Sequence, residues 1–157
     1  MGNTLVVYYS HSGNTRAVAE LIARETGGSI WEILPQTNYP TSYNAVVKQA
    51  KQEIQAGHLP EINGTFSGLD ACDTVFVGTP NWWSTIAPPV ATFLSNNDLA
   101  GKTVVPFCTH GGGGGGRIEA EVAKLCPASI LRQGIIISGN GGAGLEKTIK
   151  SWLADVL

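Results

Sequence analysis

Apolar residues along the chain switch repeatedly between short unbroken runs and one-sided helical spacing. Leu5, Val6, Val7, Tyr8 and Tyr9 form a run rich in β-branched and aromatic side chains. That composition suits a strand buried on both faces of a parallel sheet. After a polar stretch, Val18, Leu21, Ile22 and Glu25 fall at the spacing of a helix. Ile30, Trp31, Glu32, Ile33 and Leu34 predict a second strand, stopped by Pro35. Tyr43, Val46, Val47, Ala50 and Ile54 mark a second amphipathic helix, ended by Gly57. Thr74, Val75, Phe76, Val77 and Gly78 give a third strand. A helix is expected across residues 86–94, where Pro88 and Pro89 are tolerated in a first turn. Thr103, Val104, Val105, Pro106 and Phe107 read as the fourth strand, and a helix follows over residues 118–125. Ile130 and Leu131 with Ile135, Ile136 and Ile137 predict a fifth strand, bent at Gly134. Leu145, Ile149, Trp152, Leu153 and Val156 share one face of a last helix. Strand and helix alternate throughout without an internal repeat. That pattern implies right-handed crossovers and an α/β domain, residues 1–157, with helices on both faces of a parallel sheet.

Composition narrows the function classes. Of 157 residues, 43% are hydrophobic and 14% charged, which excludes a disordered or solvating segment. Ten Lys and Arg against twelve Asp and Glu leave a formal charge of -2. A polyanion binder carries a basic excess, so nucleic acid is not an expected partner. No apolar run approaches the ~20 residues of a membrane-spanning helix. The N-terminal stretch lacks a basic start before its apolar run, so no secretion signal is expected. Cys72, Cys108 and Cys126 offer neither a disulfide framework nor a zinc pattern and read as buried thiols of a cytoplasmic protein. Twenty glycines stand out, because they cluster.

In an open parallel sheet, ligands bind beyond the carboxyl ends of the strands. The unusual residues of this chain collect at three such ends. Ser10, His11, Ser12, Gly13, Asn14 and Thr15 follow the first strand and lead into a helix. Backbone N–H groups there, beside the helix's positive end, make an anion site that needs neither lysine nor metal. The plain alternative is a helix capped by Ser12 or Asn14. A Walker loop is excluded, because no Gly-Lys-Ser/Thr follows. Thr79, Pro80, Asn81, Trp82 and Trp83 follow the third strand, where adjacent tryptophans cannot both face one core. One of them is then free to stack on a planar ligand, or both plug the sheet against a helix. Thr109 and His110 precede an unbroken run from Gly111 to Gly116, which permits close backbone approach to a ligand or forms a flexible tether.

The motifs Tyr8-Tyr9-Ser10-His11-Ser12-Gly13-Asn14-Thr15, Gly78-Thr79-Pro80-Asn81-Trp82-Trp83 and Thr109-His110-Gly111-Gly112-Gly113 together resemble the flavodoxin family, in its short-chain bacterial form. The likeness covers essentially the whole chain. It implies a flavodoxin-like three-layer sandwich with a five-stranded parallel sheet of order 2-1-3-4-5, and non-covalently bound FMN. By that resemblance Ser10, Ser12, Gly13, Asn14 and Thr15 hold the FMN phosphate, with His11 in the same loop. Thr79, Pro80, Asn81, Trp82 and Trp83 line one flank of the flavin ring. Thr109, His110, Gly111 and Gly112 line the other flank and the pyrimidine edge. No metal is implied. The glycine run departs from the family by placing no aromatic over the outer flavin face. Two functions follow: an electron-transfer flavoprotein working between a reductase and an acceptor protein, or an NAD(P)H oxidoreductase reducing quinones or other small acceptors. A monomer or weak dimer is expected. A phosphoacceptor module is disfavoured, since the first strand ends without an acidic cluster.

Overall fold

The computed structural model describes residues 3–157; Met1 and Gly2, the start of the N-terminal stretch read above, lie outside the described residues. Strand β1 (Asn3–Tyr8) pairs in parallel with β2 (Ser29–Glu32) on one side and β3 (Cys72–Pro80) on the other. Strand β4 (Thr103–His110) follows β3, and β5 (Ile130–Leu131) and β6 (Ile135–Ser138) both pair with β4. The order is β2-β1-β3-β4-β5, with β6 continuing the edge beside β4. The crossovers are α1 (Asn14–Thr26), α2 (Tyr43–Ala56), α3 (Pro88–Asn96), α4 (Ile118–Leu125) and, after the edge, α5 (Leu145–Val156). The strand and helix pattern predicts the parallel α/β layering, and the resemblance to flavodoxins implies this strand order.

The period-two geometry of a strand divides the apolar run into two cores. Leu5 and Val7 join Val75, Val77, Phe93, Val104 and Val122 on the α3 and α4 side. Val6 and Tyr8 join Val18, Ile22, Phe76, Phe107, Ile149 and Trp152 on the α1 and α5 side. Leu5, Val6 and Val7 are fully buried, as a central parallel strand requires. All three cysteines are free and buried.

Several ends shift by two or three residues, α3 for instance starting at Pro88 rather than at residue 86, and two strands differ more. Strand β2 stops at Glu32, although Ile33 still donates its amide to Tyr8 O at 2.7 Å. Leu34 is left half-exposed, and Pro35 bridges to Ile62 in an antiparallel sense. The fifth strand is broken rather than bent. Leu131 pairs with Val104 and Ile135 with Phe107, so four steps on the edge face three on β4, an extra residue opposite Pro106. Val104 O accepts from Arg132 N at 3.0 Å, so Pro106, two residues on, turns toward the same edge but has no N–H to give. Gly134 fills the gap, its amide donating instead to Glu119 Oε1 at 3.1 Å.

Gly78 sits where β1, β3 and β4 run side by side, paired with Tyr8 and with Phe107. A Cβ there would lie 2.2 Å from Phe107 Cζ, in a ring that is fully buried. Gly78→Ala should therefore destabilise the fold by ~1–3 kcal/mol, the usual cost of overpacking. Urea unfolding of G78A and of G78A/F107L measures this, with the double variant regaining part of the loss.

Candidate functional site

The carboxyl ends of β1, β3 and β4 are staggered, β3 running two residues past Gly78, the partner of Tyr8, and β4 three past Phe107, and backbone bonds carry the register onward. Tyr9 N donates to Gly78 O at 3.1 Å, Asn81 N to Thr109 O at 2.8 Å, and Gly139 N to His110 O at 2.7 Å. The three sequence-predicted segments are thus brought together at one rim.

In the first segment Gly13 occupies the residue before α1 with a left-handed φ of 98°, a conformation glycine takes without strain. No side chain caps the helix, so neither Ser12 nor Asn14 acts as the cap that the plainer reading required. The first-turn amides of Asn14, Thr15 and Arg16 form the positive helix end, with no acidic residue in that turn. Ser10 Oγ accepts from Gly13 N at 3.1 Å and folds the loop back on itself. His11 Nε2 lies 3.0 Å from Pro40 O. Thr15 is buried, and its Oγ1 is 2.7 Å from Thr109 Oγ1, a bond across 94 residues that clasps the first segment to the third. Arg16 does not serve this loop: it bonds Glu32 Oε2 at 2.6 Å and Tyr8 OH at 3.4 Å. The Glu32 bond, then the Tyr8 bond, hold its guanidinium above the ordinary range.

The second segment is more constrained than its sequence suggests. Thr79 Oγ1 donates to Pro80 O at 2.8 Å and accepts from Ala87 N at 2.9 Å, tying the strand end to the start of α3. Trp82 and Thr85 exchange backbone bonds of 3.1 and 3.2 Å around Trp83 and Ser84, whose φ values are 56° and 65°. Two consecutive positive φ angles define a type I′ turn, normally filled by Asn and Gly. The Trp82 ring packs edge-on against Tyr9 and Tyr39, with centroids 5.5 and 5.0 Å away, and against His11 at 5.9 Å. Trp83 turns outward, 46% exposed, donating Nε1 to Val47 O at 2.9 Å with Lys51 Nζ 5.1 Å from its ring centroid. The adjacent tryptophans therefore divide, one into an aromatic cluster and one onto α2.

The glycine run is half open and half packed. A Cβ at Gly111, Gly112 or Gly114 would meet nothing within 4 Å, whereas one at Gly116 would lie 2.6 Å from Ser84 O. Arg117 N donates to that same Ser84 O at 2.6 Å, so the run's far end is stitched to the strained turn. Gly112 N donates to His110 Nδ1 at 2.9 Å. Asn81 spans the second and third segments, giving Nδ2 to Gly114 O at 2.6 Å. Its Oδ1 is buried and has no hydrogen-bond partner. A buried acceptor left unpaired costs ~1–3 kcal/mol and calls for a donor, from a water or from a ligand. Uncapped amides for an anion, an orphaned acceptor and open glycines fit a planar group with an anionic tail. Cys108, one residue before this segment, is a poor redox candidate: burial pushes its thiol up to about 12. Among the described residues no group of three or more His, Cys, Asp or Glu gathers to hold a metal.

The sequence reading missed Tyr39 and Pro40 from the β2–α2 connection, which reach Trp82 and His11. An aromatic beside a proline past a strand end was the available signal. Burial, and then the hydrogen bond to Glu53, raise the Tyr39 hydroxyl well above the usual phenol range.

Fold and rim together define a doubly wound α/β protein with a candidate ligand site at the strand ends. The chain belongs to the flavodoxin family, whose model matches residues 3–156. A provisionally named flavoprotein of Bacteroides eggerthii is 29% identical, with 99% of this chain and 98% of that chain covered and a TM-score of 0.88. A Lactobacillus acidophilus flavoprotein solved in complex with FMN is 21% identical over 94% of this chain and 98% of its own, at a TM-score of 0.73. Flavodoxin 2 of Bacillus cereus shares the fold at 18% identity and a TM-score of 0.62, with 98% and 96% of the two chains covered.

The left-handed pair makes opposite demands on two positions. Ser84→Gly should raise stability by about 0.5–1 kcal/mol, since glycine relieves the positive φ. Gly116→Ala should lower it by ~1–3 kcal/mol, adding a strained φ and a clash with the Ser84 carbonyl. Thermal unfolding of the two variants checks both signs.

Proposed function

We propose that this chain binds FMN without a covalent bond and works as an electron-transfer flavoprotein between a donor and an acceptor protein. Family membership and the FMN complex of the Lactobacillus relative support FMN as the cofactor. The observation that carries the reading is the pairing of an uncapped α1 N-terminus behind Gly13 with the orphaned Asn81 Oδ1. FMN supplies reversible one- and two-electron chemistry; the protein supplies position and electrostatics.

In this reading Ser10, Ser12, Gly13, Asn14 and Thr15 hold the phosphate through hydroxyls and amides, with His11 fixing the loop against Pro40. Asn81 Oδ1 offers an acceptor to the ring system, flanked by Thr79, Pro80, Trp82 and Trp83. Thr109, His110, Gly111 and Gly112 form the opposite flank. Trp82 is held by three aromatic neighbours and makes a firm wall. Three buried free thiols accord with work in a reducing cytoplasm.

One observation favours the second function, an NAD(P)H oxidoreductase. Gly111, Gly112 and Gly114 place no side chain over the rim, leaving room for a small reactant on that side.

Fluorescence titration tests the cofactor, and stopped-flow mixing separates the two functions. FMN should be quenched on binding and held at least a hundredfold more tightly than riboflavin, which lacks the phosphate. Ser12→Ala should weaken FMN about tenfold, the loss of one charge-assisted bond, and leave riboflavin affinity unchanged. Equal affinities would remove the phosphate role of residues 10–15, and unquenched FMN at millimolar concentration would remove the cofactor. Stopped-flow mixing of the loaded protein with NADPH or NADH should give no reduction over minutes without a reductase; rapid reduction establishes the second function instead.

A further inference from the structure

Thr15 and Thr109 are buried, at 1% and 3% exposure, and their Oγ1 atoms lie 2.7 Å apart. Each hydroxyl brings one proton and accepts through two lone pairs. The mutual bond uses one of the two protons, whichever residue donates. The other proton has no acceptor among the described residues, since neither Oγ1 makes a second hydrogen bond there.

Several other threonines leave no proton over. Thr26, Thr92 and Thr148 each donate to the carbonyl four residues back, the usual outlet for a threonine in a helix. Thr79 donates to Pro80 O. Thr15 lacks the helical outlet. It is the second residue of α1, so the residue four back is His11, in the loop before the helix, and its hydroxyl meets β4 instead. Thr109 is anchored there by its main chain. It pairs with Pro80 and Ile137 in the sheet, and its carbonyl accepts from Asn81 N at 2.8 Å.

We propose that Thr109 is a positioning residue for an anion held at the start of α1: its hydroxyl donates to Thr15 Oγ1 and turns the Thr15 proton toward that anion. The direction of the bond follows from where each residue stands. Thr15 shares the first turn with the free amides of Asn14 and Arg16, and no acidic residue occupies that turn. Thr15 is therefore the member of the pair on the segment that meets the anion, and Thr109 is the fixed support behind it. A hydroxyl that accepts a bond becomes a stronger donor, and a bond to a charged acceptor is roughly twice as strong as a neutral one. The proposal rests on the FMN reading, which supplies the anion as the terminal phosphate. It changes the part given to the Thr109 side chain, from a flank of the flavin ring to a support of the phosphate loop.

Fluorescence quenching of FMN and of riboflavin, each titrated against the full chain, reads this role, because riboflavin lacks the phosphate. Thr109→Val exchanges the hydroxyl for a methyl group of similar size. It should weaken FMN at least fivefold and change riboflavin less than twofold. Thr109→Ser, which restores the hydroxyl, should recover FMN affinity to within twofold. Thr15→Val should weaken FMN tenfold or more. T15V/T109V should be no weaker than T15V, since Thr109 acts through Thr15. Thermal unfolding of the apoprotein gives a readout free of ligand. T15V/T109V should melt no lower than either single variant, because it removes both partners of a buried bond together. Should T109V fail to fold, T109A carries the same titration with the same expected losses. Equal losses of FMN and riboflavin in T109V would reduce Thr109 to a clasp between two loops and overturn the proposal. A double variant whose loss is the product of the two single losses would overturn it as well. FMN left unquenched by the unaltered chain defeats the cofactor reading and the proposal together, whereas quenched FMN with undiminished affinity in T109V defeats the positioning role alone.

Discussion

The register of three parallel strands is the constraint on which the rim depends. Tyr8, Gly78 and Phe107 lie abreast in the sheet, so β1 releases its loop first and β3 and β4 end two and three residues farther on. That alignment needs a residue without a side chain at Gly78, because Phe107 fills the space where a Cβ would go. The Thr15–Thr109 bond then joins the first and third loops above the sheet. Both hydroxyls are buried, so each depends on the other for a partner, and breaking the pair leaves one unsatisfied. The loops are therefore positioned by the sheet register and locked by one polar contact, before any ligand arrives.

Strain concentrates at the second loop and is countered from several sides. Trp83 and Ser84 both hold left-handed backbone, which costs of order 1–3 kcal/mol each for residues with a Cβ. The Trp82–Thr85 bridge, the Trp83 indole bond to Val47 and the Arg117 amide on Ser84 O oppose that cost. Gly116 completes the arrangement by leaving room for the Ser84 backbone. Such strain is tolerated where surroundings over-determine the conformation, and it clusters at sites where a backbone must be held in one shape. Asn81 adjoins this turn and contributes the complementary feature, an acceptor buried without a partner.

Much of this was legible in the residues. The buried central strands announced themselves as unbroken β-branched runs, because burial on both faces removes the polar alternation. The end of α2 followed from Gly57, which acts locally, whereas α3 starts at the Pro88-Pro89 pair, two residues later than the apolar spacing suggested. The edges were less legible. Pro106 breaks the ladder of its neighbour rather than its own strand, so the consequence falls some thirty residues away in sequence, between β5 and β6. In the candidate site, the loop composition pointed to the rim, but the separation of Trp82 from Trp83 follows from a turn type their residue names argue against. Tyr39 was harder to read for a related reason: the adjoining proline marks a loop, but the contact with Trp82 is tertiary and leaves no periodic mark.

Charge placement gives the rim a direction as well as a shape. Asp70 and Asp73 flank the start of β3 and Asp98 precedes β4, away from the rim. Lys48, Lys51 and Arg117 stand among Glu53, Glu119 and Glu121, so these side chains leave no excess of either sign. The field near a surface depends on its closest groups, within a Debye length of ~10 Å. The fixed positive charge that faces the rim is then the α1 dipole, its positive end left without an acidic side chain in the first turn. What direction the rim has comes from backbone amides at contact distance rather than from side chains farther out.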